Sequence, residues 1–265
     1  MKTYERLLSY VKILTPSNED STTSPSSHCQ FDLARILVDE LKNLGISDVS
    51  LDEHCYVYAH IPASEGLDSC KTLGFIAHMD TVSDFCDHPV TPVITENYDG
   101  GELPLGTSGR ILSPEMFPHL SSLKGRTLIT SDGTTILGAD DKAGIAEIIT
   151  ALERILTEKI PHGPLAIAFT PDEEIGMGPA HFDVGKFGAD YAYTLDGDTE
   201  GEIQYENFNA CSAKVIFQGV NVHPGSSKIP WSTRLLLPWS LIPCCQLLIR
   251  HGTLRTMRAF SICVL

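Results

Sequence analysis

One histidine and several carboxylates stand directly after short apolar, β-like runs of the sequence. They are His78 with Asp80, Asp140, the pair Glu173–Glu174, and Asp196. In open α/β sheets, ligands and catalytic groups gather beyond the carboxyl ends of the strands. If each run is a strand of one sheet, these side chains meet at a single edge. An imidazole with several carboxylates and no thiol predicts a hydrolytic metal site, which would hold two zinc ions or a cobalt or manganese pair.

Each signal is weak when taken alone. A His-x-Asp pair such as His78 and Asp80 is more often a surface or capping feature. Two carboxylates at a helix entrance, here Asp140 and Asp141, more often cap the helix. The Glu173–Glu174 pair could be a solvated acidic loop. Four such positions at predicted strand ends are improbable as unrelated caps, so a metal site is the preferred interpretation. Within that site, Asp80 is expected to orient the imidazole of His78.

The elements that must position these residues predict an α/β fold, with a mixed, largely parallel sheet flanked by helices. Apolar spacing predicts helices over 4–14, 31–44 and 142–156, and strands over 49–51, 56–61, 72–77, 127–130, 165–170 and 191–195. The last two strands are nearly continuous apolar runs, which is typical of parallel strands buried on both faces. A Ser/Thr/Pro-rich loop, residues 16–27, separates the first two helices.

The composition favours a soluble, cytoplasmic protein. The chain has 265 residues, of which 42% are hydrophobic and 20% charged, as in ordinary globular proteins. It has no apolar run long enough to span a membrane, and its first residues lack the apolar core of a signal peptide. The net charge of −15 argues against nucleic acid and anionic membranes as partners.

The acidic motifs, taken in chain order, resemble those of a known family. They are His78-Met79-Asp80-Thr81-Val82, Gly138-Ala139-Asp140-Asp141-Lys142-Ala143-Gly144, Pro171-Asp172-Glu173-Glu174-Ile175-Gly176 and Asp196-Gly197. They are similar to the consecutive motifs of the bacterial aminotripeptidases, the peptidase T group. That group belongs to the co-catalytic zinc exopeptidase family, with aminoacylases and glutamate carboxypeptidases. The resemblance runs from Met1 to about Ser227.

The resemblance implies a role for each metal-binding position. One zinc ion would be held by His78, Asp140 and Asp196. Asp140 would also bridge to a second zinc ion, which Glu174 binds. The family supplies a further histidine to this second ion from a later region, and that histidine has no counterpart in this chain.

The remaining roles concern catalysis and the substrate. Glu173 would be the general base, Asp80 would orient the metal-bound histidine, and His223 would contact a small peptide substrate. The implied activity is hydrolysis of the N-terminal peptide bond of tripeptides by a zinc-activated water. The alternatives are a catalytically dead metal-binding fragment of such an enzyme, or a related dipeptidase or N-acyl amino-acid hydrolase.

The resemblance also divides the chain into three parts. Residues 1–207 would form the N-terminal portion of the catalytic domain, and residues 208–227 would begin a smaller α+β lid domain, through which family members can form homodimers. Residues 228–265 match nothing in the family, and they contain five basic residues, no acidic residue and both tryptophans. We interpret this tail as out-of-frame translation after about Ser227, and we expect the family chemistry to be impaired in this chain.

Overall fold

The computed structural model describes residues 1–197 and 201–206. Its elements, in chain order, are α1 (Thr3–Tyr10), α2 (Gln30–Asn43), β1 (Asp48–Leu51), β2 (Val57–Ile61), β3 (Leu73–His78), β4 (Pro92–Thr95), β5 (Leu103–Pro104), β6 (Ile111–Leu112), a 3₁₀ helix (Pro118–Leu123), β7 (Leu128–Ser131), α3 (Ala139–Glu158), β8 (Leu165–Thr170), α4 (Val184–Phe187) and β9 (Tyr191–Thr194). All of them lie in one compact unit, Met1–Asp198. The predicted lid over 208–227, with His223, and the tail over 228–265 fall outside the described residues.

The main sheet has five strands in the order β1-β2-β8-β3-β9. The pairs β1–β2 and β2–β8 are antiparallel, whereas β3 runs parallel to both β8 and β9. Two short ribbons, β4–β7 and β5–β6, lie outside this sheet. The predicted fold class, a mixed sheet flanked by helices, is confirmed.

The central strand β8 explains how the layers form. All six of its residues are buried, and alternate side chains enter two different cores because successive residues of a strand point to opposite faces. Ile167 and Phe169 join the larger core, to which α1, α2 and α3 contribute apolar residues. Ala166 and Ala168 join a smaller core on the other face, with Phe187 of α4. Helices therefore cover both faces of the sheet.

Three predicted elements differ from the structure. The helix predicted over 4–14 ends at Tyr10, because the next residues turn to run beside the end of β3, where the Thr81 N–H donates to the Thr15 carbonyl over 3.0 Å. The strand predicted over 127–130 is β7, which pairs with β4 and not with the main sheet. The strand predicted over 191–195 is present as β9, but all four of its residues are exposed. Within the described residues, β9 pairs with β3 only, so the prediction of a strand buried on both faces was wrong.

None of the helices within the described ranges combines the length and apolar character needed to cross a membrane.

Candidate metal centre

Strand register brings His78 and Asp196 together. In the parallel pair β3–β9, Ile76 is opposite Thr194. His78 and Asp196 each lie two residues further along the chain, so both are on the same face as that pair. The Nε2 atom of His78 lies 3.8 Å from Oδ2 of Asp196. The carboxyl ends of neighbouring parallel strands therefore deliver an imidazole and a carboxylate to one edge of the sheet, as predicted.

Asp140 reaches the same place by another route. It lies at the start of α3 and not at the end of a main-sheet strand, so the expectation that one sheet supplies every position was wrong for this residue. The preceding Gly138 has φ of +71°, and Asp140 and Asp141 have non-helical backbone angles. Regular helix begins only after this turn, which leaves Asp140 free to face His78, with its Oδ1 2.9 Å from Nε2.

The Glu173–Glu174 pair occupies the loop directly after β8. Oε2 of Glu173 lies 3.8 Å from Nε2 of His78. The backbone N–H groups of both glutamates donate to the carboxylate of Asp80, over 2.9 Å from Glu173 and 3.2 Å from Glu174. Asp80 is fully buried, so the accepting carboxylate of these two partly buried bonds is shielded from water. The end of β3 and the loop after β8 are thereby joined directly.

His78 presents one ring nitrogen to the acidic cluster. Its Nδ1 lies 2.9 Å from the backbone carbonyl oxygen of Asp80 and 3.4 Å from the Oδ1 of the same residue. A protonated Nδ1 that donates to this carbonyl fixes the ring orientation and leaves Nε2 to face the carboxylates. Asp80 therefore contacts the ring mainly through its main chain, while its carboxylate holds the Glu173–Glu174 loop.

Two sets of three side chains within the described residues could each hold a metal ion. The first set is His78, Glu173 and Asp196, and the second set is His78, Asp140 and Glu174, with the donor atoms of each set within 4.8 Å of one another. Both sets contain His78, but a single Nε2 can bind only one ion. One ion would thus have the imidazole, and a neighbouring ion would depend on carboxylate oxygens. Oxygen-rich donors with one imidazole and no thiol fit zinc, cobalt or manganese.

The electrostatics of the cluster favour the binding of a cation. Burial alone would lower the pKa of the His78 imidazole. The nearby carboxylates of Asp80 and Asp141 outweigh burial and raise this pKa to about 10. Burial, together with the charges of neighbouring carboxylates, raises the pKa of Glu173, of Glu174 and of Asp196. Carboxylates crowded in this way repel one another, and a divalent cation would relieve that repulsion.

Two buried charged residues lie at the start of α3: Asp141, which the sequence suggested only as a helix cap, and Lys142, to which the sequence gave no role. Asp141 accepts the N–H of His78 over 3.1 Å and that of Gly144 over 3.2 Å, so it ties the helix start to β3. Burial is the main cause that raises its pKa to about 8. Lys142 is also buried and donates to the carbonyl oxygen of Ile13 over 2.7 Å, and burial lowers its pKa to about 8. A buried lysine is hard to foresee because lysine is ordinarily exposed.

A cavity of about 290 Å³ opens beside the acidic cluster. Its lining includes His78, Glu173 and Asp196 from the cluster, and apolar side chains from β3 and the loop before α4, among them Ile76, Pro179 and Phe182. The cavity is large enough for one amino-acid side chain, and it adjoins the candidate metal ligands.

The fold and the site together define the class: a metallopeptidase-like catalytic domain with a carboxylate-rich centre. Residues 132–224 match the model of Peptidase family M20/M25/M40. The chain is also 55% identical over 229 residues to Peptidase T of an Exiguobacterium species, an alignment that covers 86% of this chain and 55% of that relative. The resemblance to peptidase T is therefore confirmed, and the chain spans about half the length of the curated relative that it matches.

Solved structures of aminopeptidases and tripeptidases have a similar fold. The aminopeptidase PepT of Bacillus cereus has a TM-score of 0.53 at 25% identity, covering 74% of this chain and 43% of that one. A tripeptidase of Staphylococcus aureus has a TM-score of 0.52 at 26% identity, with the same coverage of 74% and 43%. The catalytic-domain fold of these peptidases is thus present in the described residues.

Proposed function

We propose that this chain carries the metal centre of an aminopeptidase that releases the N-terminal residue of small peptides, tripeptides in particular. The observation that carries the proposal is the convergence of His78, Asp140, Glu173, Glu174 and Asp196 into two overlapping donor sets. The similarity to Peptidase T and to a solved tripeptidase supports this substrate class over other peptides.

Each residue has a proposed role at the centre. His78 and Asp196 would hold one zinc ion, Glu174 would hold a second, and Asp140 would bridge the two. This division respects the single free nitrogen of the imidazole, because only one ion uses Nε2. A bound zinc ion would supply Lewis acidity, which polarises a peptide carbonyl and lowers the pKa of a water molecule.

Glu173 is the proposed general base. Its carboxylate lies 3.8 Å from Nε2 of His78, and half of its side chain is exposed to solvent, so a substrate could reach it. Burial raises its pKa above the ordinary value of 4.5, which moves it toward the neutral range where a base can take and return a proton. Glu173 would accept a proton from the attacking water and deliver it to the leaving amine.

The substrate would contact the walls around the acidic cluster. The apolar cavity beside His78 could hold one side chain of the peptide. The crowded carboxylates favour a cationic partner, and the free amino group of an unblocked peptide has that charge. His223, which lies outside the described residues, remains our proposed additional substrate contact.

The test uses the purified 265-residue chain, its zinc content and a matched peptide panel. The panel contains a tripeptide, the same tripeptide acetylated at its amino group, the corresponding dipeptide and an N-acyl amino acid. We expect bound zinc and only slow turnover of the free tripeptide, because the chemistry is expected to be impaired in this chain; EDTA should abolish that turnover and zinc should restore it. Cleavage restricted to the dipeptide or the N-acyl substrate would favour the related hydrolases.

Zinc binding without any turnover would support a metal-binding protein that lacks catalysis. Absence of zinc binding from a folded sample would refute the proposed centre itself.

A further inference from the structure

Asp172, which directly precedes the Glu173–Glu174 pair, is held by an unusual number of hydrogen bonds. Its side chain is buried, with a relative exposure of 2%. The carboxylate accepts the N–H of Ser26 over 2.7 Å, the hydroxyl of Ser26 over 2.5 Å, and Nε2 of Gln30 over 2.7 Å. The N–H of Asp172 in turn donates to Oε1 of Gln30 over 3.2 Å. A buried carboxylate is stable in such a place only when its oxygens are satisfied in this way.

The backbone of Asp172 shows what these bonds maintain. Its φ is +57°, in the left-handed region, which an L-residue other than glycine enters at a cost of about 1–2 kcal/mol. This conformation turns the chain at the end of β8, and the next two N–H groups then meet the carboxylate of Asp80. The hydrogen bonds from Ser26 and Gln30 therefore stabilise a turn that places the acidic pair.

The segment that supplies Ser26 and Gln30 also contacts the other half of the site. In this 15–30 segment, Thr15 accepts the N–H of Thr81 over 3.0 Å, and the N–H of Ser17 donates to the Thr81 carbonyl over 3.0 Å. Thr81 follows His78 and Asp80 in the chain. The 15–30 segment is thus bonded both to the residues after β3 and to the residues after β8.

We propose that Asp172, fixed by Ser26 and Gln30, is a positioning residue that sets where Glu173 and Glu174 stand relative to His78. It touches neither metal nor substrate, and it acts through the backbone turn. Its expected effect on zinc affinity rests on the metal centre proposed above, whereas its effect on the loop does not. The Ser/Thr/Pro-rich loop of the sequence thereby acquires a function beyond that of a connector.

The test compares four variants of the full chain. Ser26→Ala removes the hydrogen bond that the Ser26 hydroxyl donates to the carboxylate. Asp172→Asn replaces one acceptor oxygen with an NH₂ group, which then faces the donors of Ser26 and Gln30. The double change Asp172→Asn with Gln30→Glu exchanges donor and acceptor and keeps the net charge. The control is Thr150→Val in α3, which removes a hydroxyl that accepts from Arg6 and donates to Ala146. This control resembles Ser26→Ala in kind but lies about 15 Å along α3 from Asp140.

The first readout is amide hydrogen exchange of Glu173 and Glu174 in EDTA, which needs no metal. Loss of a hydrogen bond to a charged group predicts exchange at least about tenfold faster in Ser26→Ala and Asp172→Asn. The double variant should recover most of the protection, and Thr150→Val should leave it unchanged. A purely structural role for Asp172 would instead raise exchange across the sheet, including β2.

The second readout is the zinc dissociation constant, measured by competition with a chromophoric chelator. We expect a weakening of about 10- to 100-fold in Asp172→Asn, partial recovery in the double variant and no change in Thr150→Val. Unchanged exchange at Glu173 and Glu174 in both Ser26→Ala and Asp172→Asn would overturn the proposal, as would equal effects in Thr150→Val. If the parent chain binds no zinc, the proposed centre fails, but the exchange measurements still decide the role of Asp172.

Discussion

The carboxylate of Asp80 accepts the backbone N–H of Glu173 over 2.9 Å, although the two residues are 93 positions apart in the chain. A second bond, from the N–H of Glu174, occupies the other oxygen of the same carboxylate. The residue predicted to orient the histidine therefore does more than that. It holds the ends of two parallel strands at a fixed separation, and both acidic side chains project from the loop that it anchors.

Asp80→Asn should weaken zinc binding more than it weakens the fold. Asparagine retains one acceptor oxygen but turns an amide toward an N–H group, which leaves a buried donor unsatisfied at a cost of about 1–3 kcal/mol. We expect zinc affinity to fall about 10- to 100-fold, as for other residues that support metal ligands. Competition with a chelator measures the affinity, and urea unfolding in EDTA measures the stability.

The matched control for that experiment is Asp99→Asn. Asp99 also accepts a backbone N–H, that of Gly101 over 2.8 Å, but the bond is exposed to water. Its loss should change neither zinc affinity nor stability appreciably. Equal zinc affinity in Asp80→Asn and Asp99→Asn would contradict the anchoring role of Asp80.

Glu173→Gln should separate catalysis from metal binding. In our proposal Glu173 moves a proton, so the amide variant should lose about 10²- to 10⁴-fold in kcat for a tripeptide. Zinc content and KM should change far less, because the proposed ligands remain. Glu158→Gln is the control, since Glu158 is an exposed residue that pairs with Arg154 on α3. A variant that keeps most of the parent kcat would assign the base to another group.

The metal-free protein should lose stability as the pH rises from about 6.5 to about 8. Folding raises the pKa of His78 from 6.5 to about 10 and that of Asp141 from 3.8 to about 8. Within this window the folded protein holds more protons than the unfolded chain, so its free energy of unfolding decreases with pH. Above pH 8 the lowered pKa of Lys142 acts in the opposite direction, which limits the window.

Thermal unfolding in EDTA at several pH values measures this dependence. Asp141→Asn removes one of the two titrating groups, and it also removes a charge that raises the pKa of His78. The unfolding temperature of this variant should therefore depend less on pH than that of the parent. Asp183→Asn changes an exposed carboxylate that caps α4, and it should leave the slope as in the parent. A midpoint that rises between pH 6.5 and 8 in the parent would refute the assignment.

Arg6→Met should destabilise the helical layer without affecting the metal centre. The Arg6 guanidinium is buried, with Nε 2.7 Å from Glu40 and Nη2 2.9 Å from Glu153. Removal of one partner from a buried ionic cluster costs about 3–5 kcal/mol, and the lower end applies here because both glutamates are partly exposed. Urea unfolding in EDTA measures the loss, and zinc affinity should remain unchanged.

Arg35→Met provides the comparison, because the pair that Arg35 forms with Asp32 is exposed on both sides. Such a surface pair contributes about 0–1 kcal/mol. Similar losses in the two variants would show that the Arg6 cluster contributes no more than a surface ion pair.

The sequence predicted the elements whose signal is local. The continuous apolar run of β8 and the amphipathic pattern of α2 identified both elements to within one residue, since burial on one or two faces imposes those patterns directly. The acidic residues at the ends of β3, β8 and β9 were also foreseen, because strand direction determines where they emerge. The exposure of β9 was not foreseen, because an apolar run in the sequence does not reveal how many neighbouring strands will cover it.

The contacts that hold the site together were not predictable from local pattern. Asp172 looked like one more acid in an acidic loop, Ser26 looked like part of the polar connector over 16–27, and Gln30 was given no role. Their hydrogen bonds join positions more than 140 residues apart, which spacing within one segment cannot indicate. The sequence did place Asp140 at a helix entrance, as the structure has it. It missed that the strand before this helix, β7, belongs to a separate ribbon and not to the main sheet.

The register between β3 and β9 has a consequence for how the chain folds. Ile76 faces Thr194, and it is this alignment alone that puts His78 and Asp196 on the same side. A shift by one residue would turn Leu195 toward the histidine and Asp196 away from it, since side chains alternate along a strand. The ligands are also far apart in the chain, so no nascent segment could chelate an ion before the strands assemble. Zinc present during refolding would accordingly select the correct alignment after the chain has collapsed, rather than nucleate the collapse.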